Sequence, residues 1–254
     1  MITSNMGLLE IPHLAAPAGL FEIASGVVTR LFPNIVNKPI MFIPGVKTGF
    51  TGNSDLALKD MMRGEEAEVF GYLGHLDNAK NESLLFIHYG SHHKGILLEN
   101  GQIERCATSI TGELMTTIGQ HTLLKNSLVL PSEMQPRMED VRKGLEIAQS
   151  SGFGRALFSS RVMQVMEQRD KQDSTSLFLG ALLSLDIAML SQLITSSTKQ
   201  IVLYGKSLFP LIFEPILNER YPNVEVKVIS EGQSDELSAK GAVIVYREYL
   251  KISN

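Results

Sequence analysis

The chain has 254 residues, 44% of them hydrophobic, enough to bury a full core in one large domain or two of modest size. Its 23 basic and 27 acidic side chains leave a net charge of −4 with no block of like sign, which argues against nucleic acid or an anionic membrane as partner and for work on small molecules. The single cysteine, Cys106, excludes an internal disulfide and a CxxC metal site and is expected as a buried, inert thiol; no apolar run approaches the ~20 residues of a membrane span, and no basic segment followed by an apolar stretch opens the chain, so a cytoplasmic protein is the default expectation.

Residues 1–19 do not read like the start of a domain. They carry a small-polar turn, Thr3-Ser4-Asn5, then Gly7, Pro12 and Pro17, and read as a loop. Phe21–Leu31 is expected as a short helix broken by Pro33 and Asn34. Pro39–Gly45 reads as a buried strand closed by Pro44-Gly45, and Val46–Leu58 as a polar loop long enough to expect a function. Lys59–Leu73 follows as a helix with an apolar stripe of Met61, Met62, Ala67, Val69, Phe70 and Leu73, and Arg63-Gly64-Glu65-Glu66 lies at its start. Carboxylates in a first turn favour the helix dipole, which by itself accounts for Glu65 and Glu66.

The stretch Leu84–Glu113 organises the chain. An apolar run, Leu84–Ile87, leads into Tyr89-Gly90-Ser91-His92-His93-Lys94; an apolar strand resumes at Gly95–Leu98; an Asn100-Gly101 turn then leads into a third strand, Gln102–Thr108. Gly90 lets the backbone approach a ligand, Ser91 offers a hydroxyl and an amide, and Lys94 adds a positive charge, a combination that suits a phosphate-bearing ligand and equally describes a plain hairpin with a polar tip. Thr111 or Ser109 is placed to cap a helix running toward Leu124, with Glu113 in its first turn.

Helical stretches are expected at Met138–Ser150, at Gly154–Glu167 and from Ser174 onward. Leu177–Ile194 is strongly apolar but interrupted by Asp186 and Gln192, which fits a buried core helix in which Asp186 caps or pairs locally. Gln200–Tyr204 is a short strand ending in Gly205-Lys206-Ser207, Phe209–Tyr221 a helix, Val224–Ile229 a further strand and Ser234–Tyr249 a closing helix. Three antiparallel strands followed by helix-separated parallel ones indicate a mixed sheet with helices on its faces.

Four segments resemble the 2-dehydro-3-deoxygalactonokinases, kinases of a keto-deoxy sugar acid in the actin, sugar-kinase and Hsp70 superfamily. Met1–Gly7 with Pro12 and Pro17 is similar to the family's glycine-serine-asparagine segment. Ile43-Pro44-Gly45 with Met62–Glu66 and Phe70-Gly71 resembles its Pro-Gly strand end and Met-Arg-Gly-Glu-Glu helix start, and Gly90–Lys94 its Gly-Thr-His-Ser-Lys phosphate turn. Thr111-Gly112-Glu113-Leu114 with His121, Leu123 and Leu124 is similar to its Thr-Gly-Glu helix, and Tyr204–Leu208 falls where the family has its adenosine loop. Departures are His93 for serine, Gly95 for an aromatic residue and Lys206 for a small residue. The family's opening strand with its Asp-Trp-Gly loop precedes the segment that matches Met1, so the first lobe is expected to be incomplete.

The resemblance implies an α/β actin-like ATPase (ribonuclease H-like) architecture of mixed sheets flanked by helices. Residues 1–80 would form a partial N-terminal lobe with sugar-acid loops, and residues 81–254 a ribonuclease H-like lobe. It implies ATP-dependent, Mg2+-assisted phosphorylation of 2-dehydro-3-deoxy-D-galactonate. Gly90, Ser91, His93 and Lys94 would hold the phosphates; Gly205, Lys206 and Ser207 would pack on the adenosine; Arg63 would pair with the carboxylate or a phosphate oxygen; Ser4, Asn5, Glu66, Thr111 and Glu113 would bind the sugar acid; Glu65 and His92 would act in catalysis. The alternative is a kinase-derived binding protein that cannot transfer phosphate. Neither nucleic acid nor membrane is expected as a partner, while a homo-oligomer covering exposed sheet edges stays open.

Overall fold

The structure, a computed structural model, describes residues 2–3, 10–49, 55–74, 82–129, 133–206 and 208–253. Ser4, Asn5 and Ser207, singled out in the sequence, lie outside the described residues.

The N-terminal part builds two small sheets. Strands β1 (Ile2–Thr3), β3 (Val28–Phe32) and β4 (Val36–Ile43) form the order β1-β4-β3; β2 (Leu14–Ala15), β5 (Val46–Thr48) and β6 (Asp60–Met62) form β2-β5-β6. Helix α1 covers only Leu20–Ser25. The helix expected to continue to Leu31 stops because Gly26 ends it and the following run, rich in β-branched residues, pairs antiparallel with β4, from Val28 opposite Phe42 to Phe32 opposite Val36. Similarly, the segment expected as a loop contains β5, and the helix expected from Lys59 begins as α2 at Glu65–Leu73, because Asp60–Met62 is taken as a strand by β5.

A five-stranded sheet forms the centre. The hairpin strands β7 (Ser83–Tyr89) and β8 (His93–Glu99) continue into β9 (Gln102–Ser109); β10 (Thr198–Gly205) lies parallel to β7, and β11 (Glu225–Val228) parallel to β10, giving the order β11-β10-β7-β8-β9. Asn100 (φ 53°) and Gly101 (φ 74°) both take positive φ, as the tight turn between β8 and β9 requires. This is the mixed sheet expected from the sequence. The outer edge of β9 is met by the N-terminal segment through paired backbone hydrogen bonds between Ala18 and Ile103.

Both faces of β7 are buried, since helices cover each side of the sheet. On one face α2 crosses α8 (Glu231–Ser253) closely, and a Cβ on Gly241 would lie 1.6 Å from the Ala67 carbonyl oxygen. On the other face lie α3 (Thr111–His121), α4 (Met138–Ser151), α5 (Phe153–Val165), α6 (Lys171–Leu190) and α7 (Leu208–Arg220). Helix α6 is long and apolar enough to cross a membrane, yet 78% of its apolar window is buried inside the molecule, as a core helix should be. Asp170 caps its N-terminus by accepting a hydrogen bond from the Asp173 amide.

Two local expectations fail here. Neither Ser109 nor Thr111 caps α3, whose N-cap position is Ile110. Asp186 pairs not within its own helix but with distant residues: Thr111 donates its hydroxyl hydrogen to Asp186 at 2.7 Å, a better use of both groups because each is fully buried.

Candidate functional site

Three loops converge at the C-terminal ends of the parallel strands β7 and β10, the end where open α/β sheets bind ligands. The turn Gly90-Ser91-His92 follows β7, Gly205-Lys206 closes β10, and Gly112-Glu113 opens α3. Backbone bonds lock them together: the Lys206 amide donates to the Tyr89 carbonyl and the Glu113 amide to the Ser91 carbonyl, each at 2.9 Å. Gly112 is required by this approach, because a Cβ there would lie 2.3 Å from the Gly90 carbonyl oxygen. Gly205 takes φ +104°, a conformation that side chains disfavour. At Gly90, by contrast, a Cβ would make ordinary van der Waals contact, 3.5 Å from His88 Cε1 and from the His92 carbonyl oxygen, so the protein's own packing does not demand glycine there. On the solvent side His92 Nε2 lies 2.7 Å from Glu113 Oε1.

Cavities lie on both sides of Gly90. One, of about 330 Å³, is polar and is lined by Glu68, His88, Gly205, Lys206, Glu231 and Asp235 among others. Another, also of about 330 Å³, contains Ser91, Gly112, Glu113, Thr116 and Lys206. It shares Met115 and Thr116 with a larger, mainly apolar cavity of about 440 Å³ walled by Gly119, Leu128, Met134, Phe178 and Leu208. Helix α3 turns its N-terminus toward Ser91, bringing the partial positive charge of a helix start to the same place.

On the α2 side, charges are arranged in register. His88 and Lys94 are opposite residues of the hairpin, and Glu65 and Glu68 are one helical turn apart on α2 above them. Lys94 Nζ lies 3.7 Å from Glu65 Oε1, and His88 Nδ1 lies 3.9 Å from Glu68 Oε2. The His88 ring stacks on Tyr204 at 5.0 Å, and burial pushes the Glu68 carboxyl above the usual carboxylate range despite His88 beside it. Arg63 donates to the Ile11 carbonyl at 2.7 Å and touches His13 Nδ1 at 3.1 Å. Burial and then the charges of Arg63, Lys47 and Lys94 lower the His13 pKa, which marks this corner as cationic.

Several residues singled out in the sequence hold structure instead. Glu66 is buried, its oxygens accepting from the amides of Val46 (2.8 Å) and Gly64 (2.6 Å), so it ties α2 to β5 and has no face for a sugar acid. His93 is fully buried against Asp186, Tyr89 and Phe209 and cannot touch a phosphate. Thr111 is likewise closed off by Asp186. Lys94 is buried with its ammonium donating to the Met61 carbonyl at 3.0 Å, on the Arg63 side rather than over the turn. Gly90, Ser91, Glu113, Gly205 and Lys206 do come together, with His92 above them, and Glu65 lies next to Arg63, whose amide donates to it at 3.1 Å. The residues missed are Glu68, His88, His13 and Lys47. Glu68 could have been found from its three-residue offset to Glu65; the others carry no sequence signal.

A mixed sheet of this order, with helices on both faces and a hairpin turn facing a second glycine loop across the strand ends, has the architecture of the actin-like ATPase fold. Within that class the chain belongs to the 2-keto-3-deoxy-galactonokinase family, which it matches over residues 1–241. It is 26% identical over 251 residues to a probable 2-dehydro-3-deoxygalactonokinase of Rhizobium meliloti (strain 1021), covering 96% of this chain and 76% of that one. It is also 26% identical over 212 residues to the 2-dehydro-3-deoxygalactonokinase of Escherichia coli (strain K12), where 82% of this chain spans 65% of the relative. The crystal structure of a proposed 2-dehydro-3-deoxygalactonokinase from Sinorhizobium meliloti is similar at a TM-score of 0.73 and 25% identity, over 92% of this chain and 73% of that one.

Proposed function

We propose that the chain is a cytoplasmic, ATP-dependent kinase that phosphorylates the terminal hydroxyl of 2-dehydro-3-deoxy-D-galactonate, giving the 6-phosphate. The observation that carries this reading is the meeting of two cavities at Gly90, lined by the Ser91 turn, the start of α3 and Lys206. Backbone amides, a helix N-terminus and an ammonium are what a polyphosphate needs, and the adjoining apolar cavity, roomy enough for a purine, would take the base. The acid's carboxylate would pair with the cationic corner around Arg63.

A divalent cation in such a site is held mainly by phosphate oxygens and water with one or two carboxylates. Among the described residues no three metal-ligating side chains cluster, and Glu231 and Asp235 on the polar cavity are the carboxylates that would hold the ion together with the phosphates. Bound there, Mg2+ would neutralise charge on the transferring phosphoryl group. Of the residues themselves, Ser91 and Lys206 bind and orient the phosphates, and Glu68, a carboxyl raised by burial in the cavity beside Gly90, would accept the proton of the attacking hydroxyl. Glu65, already engaged by Lys94 and the Arg63 amide, orients the carboxylate-binding corner.

The test is an ADP-release assay of the chain with ATP, Mg2+ and the sugar acid. Turnover requiring both substrates is expected, and Glu68→Gln should lower kcat by roughly a hundredfold with both ligands still bound. Binding of both ligands without any turnover by the wild-type chain would overturn the kinase assignment.

A further inference from the structure

The mechanism above leaves unused a buried polar chain directly beneath the turn. Asp186 sits in the middle of the apolar helix α6 and is fully buried, an expensive place for a carboxylate unless every oxygen is partnered. Its Oδ2 accepts from His93 Nδ1 and its Oδ1 from the Thr111 hydroxyl, each at 2.7 Å. Because Thr111 gives its hydrogen to Asp186, the Ser109 hydroxyl must donate to Thr111.

The partners are the residues that border the site. His93 is the first residue of β8, directly after the turn; Thr111 is the first of α3, directly before Gly112. The His93 ring packs edge-on against Tyr89, the last residue before the turn, at 4.9 Å, and against Phe209, which follows the Gly205-Lys206 loop, at 4.4 Å. Tyr89 in turn accepts the Lys206 amide. One buried pair therefore touches both ends of the turn, the start of α3 and the chain after the second loop.

We propose that the His93–Asp186 pair, with Thr111, is a positioning unit that fixes the Gly90–His92 turn against Glu113 and Lys206 and thereby sets nucleotide affinity. This rests on the reading of that turn as the phosphate site. Two acceptor oxygens face two donors, so the replacement Asp186→Asn keeps the shape while removing the carboxylate charge and reversing the direction of one of the two hydrogen bonds.

The experiment measures ADP and sugar-acid binding by calorimetry, and amide exchange at Glu113, in Asp186→Asn, Thr111→Val and Thr111→Ser chains. Asp186→Asn and Thr111→Val should weaken ADP by roughly tenfold or more, leave the sugar acid unchanged and speed exchange of the Glu113 amide, while Thr111→Ser, which keeps the hydroxyl, should stay near the wild type. Equal losses for both ligands would overturn the proposal, as would an unchanged ADP affinity in Thr111→Val; the threonine pair carries the test if Asp186→Asn does not fold. Gly90→Val separates the two levels. If it leaves ADP binding intact, the phosphate assignment falls and the positioning role with it; if it abolishes ADP binding while Asp186→Asn and Thr111→Val do not weaken it, only the positioning role falls.

Discussion

Glu66 and Glu68 sit two residues apart on one helix and illustrate how burial sorts similar side chains into different work. Burial, then the charge of neighbouring Glu65, raises the Glu66 carboxyl to about 7, against the pull of the backbone amides it accepts from. A carboxyl whose folded pKa exceeds its unfolded one binds more protons in the native state, so stability falls as pH rises through the interval between about 4.5 and about 7 and levels off above it. Urea unfolding of the wild type should show this loss, on the order of 3 kcal/mol at most, and Glu66→Gln should flatten it while lowering stability at pH 5 through the amide hydrogen bond it forfeits. At the residue scale the sequence was informative through the family motifs it carries. Gly90, Ser91, Gly205 and Lys206 meet at the strand ends, as the family resemblance rather than any local signal implied. His93 and Lys94 were misplaced because successive strand residues face opposite sides of a sheet, and only the pairing register shows that Lys94 shares a face with His88 while His93 turns into the α6 core.

At the scale of elements, α3 is the helix whose wall can be altered without disturbing the core. Gly119 lies near its end and lines the apolar cavity, and a Cβ there would meet nothing closer than Leu128 at 3.9 Å. Gly119→Leu should therefore keep or raise the melting temperature, because leucine favours a helix by up to about 1 kcal/mol over glycine. The same change should raise the KM for ATP several-fold at an unchanged KM for the sugar acid. Equal KM values for ATP in the two proteins would place the base elsewhere. The hairpin and the helices of the second half were legible because strong local signals agree with tertiary packing, Asn100-Gly101 supplying the two positive φ angles, although α6 is expected only from Ser174 and its Asp170 cap is missed. Of the first sixty residues only the strand at Pro39–Gly45, the inner end of β4, was legible. The β-branched run after Gly26 is expected as helix although its partner, β4, follows directly across the turn at residues 33–35, whereas Asp60–Met62 pairs with β5 across an intervening segment that no local pattern bridges.

For the molecule as a whole, the connection of the central sheet sets an order of assembly. β7, β8 and β9 join through short turns, whereas β10 reaches β7 only with Thr198 opposite Ser83, after the whole of α3 to α6 has intervened. Pulse-labelled amide exchange during refolding should find the amides between β7 and β8 protected before those between β7 and β10, and simultaneous protection would contradict that order. On the ribosome the same connectivity opens an interval in time. The three-stranded meander can emerge and fold while the strand bearing Lys206 is still being synthesised, leaving the Leu84–Ile87 edge without its neighbour. A nascent chain paused before residue 198 would thus offer an unpaired apolar strand to a holdase chaperone or to another copy of itself, and the pace of translation through α4 to α6 becomes a determinant of yield.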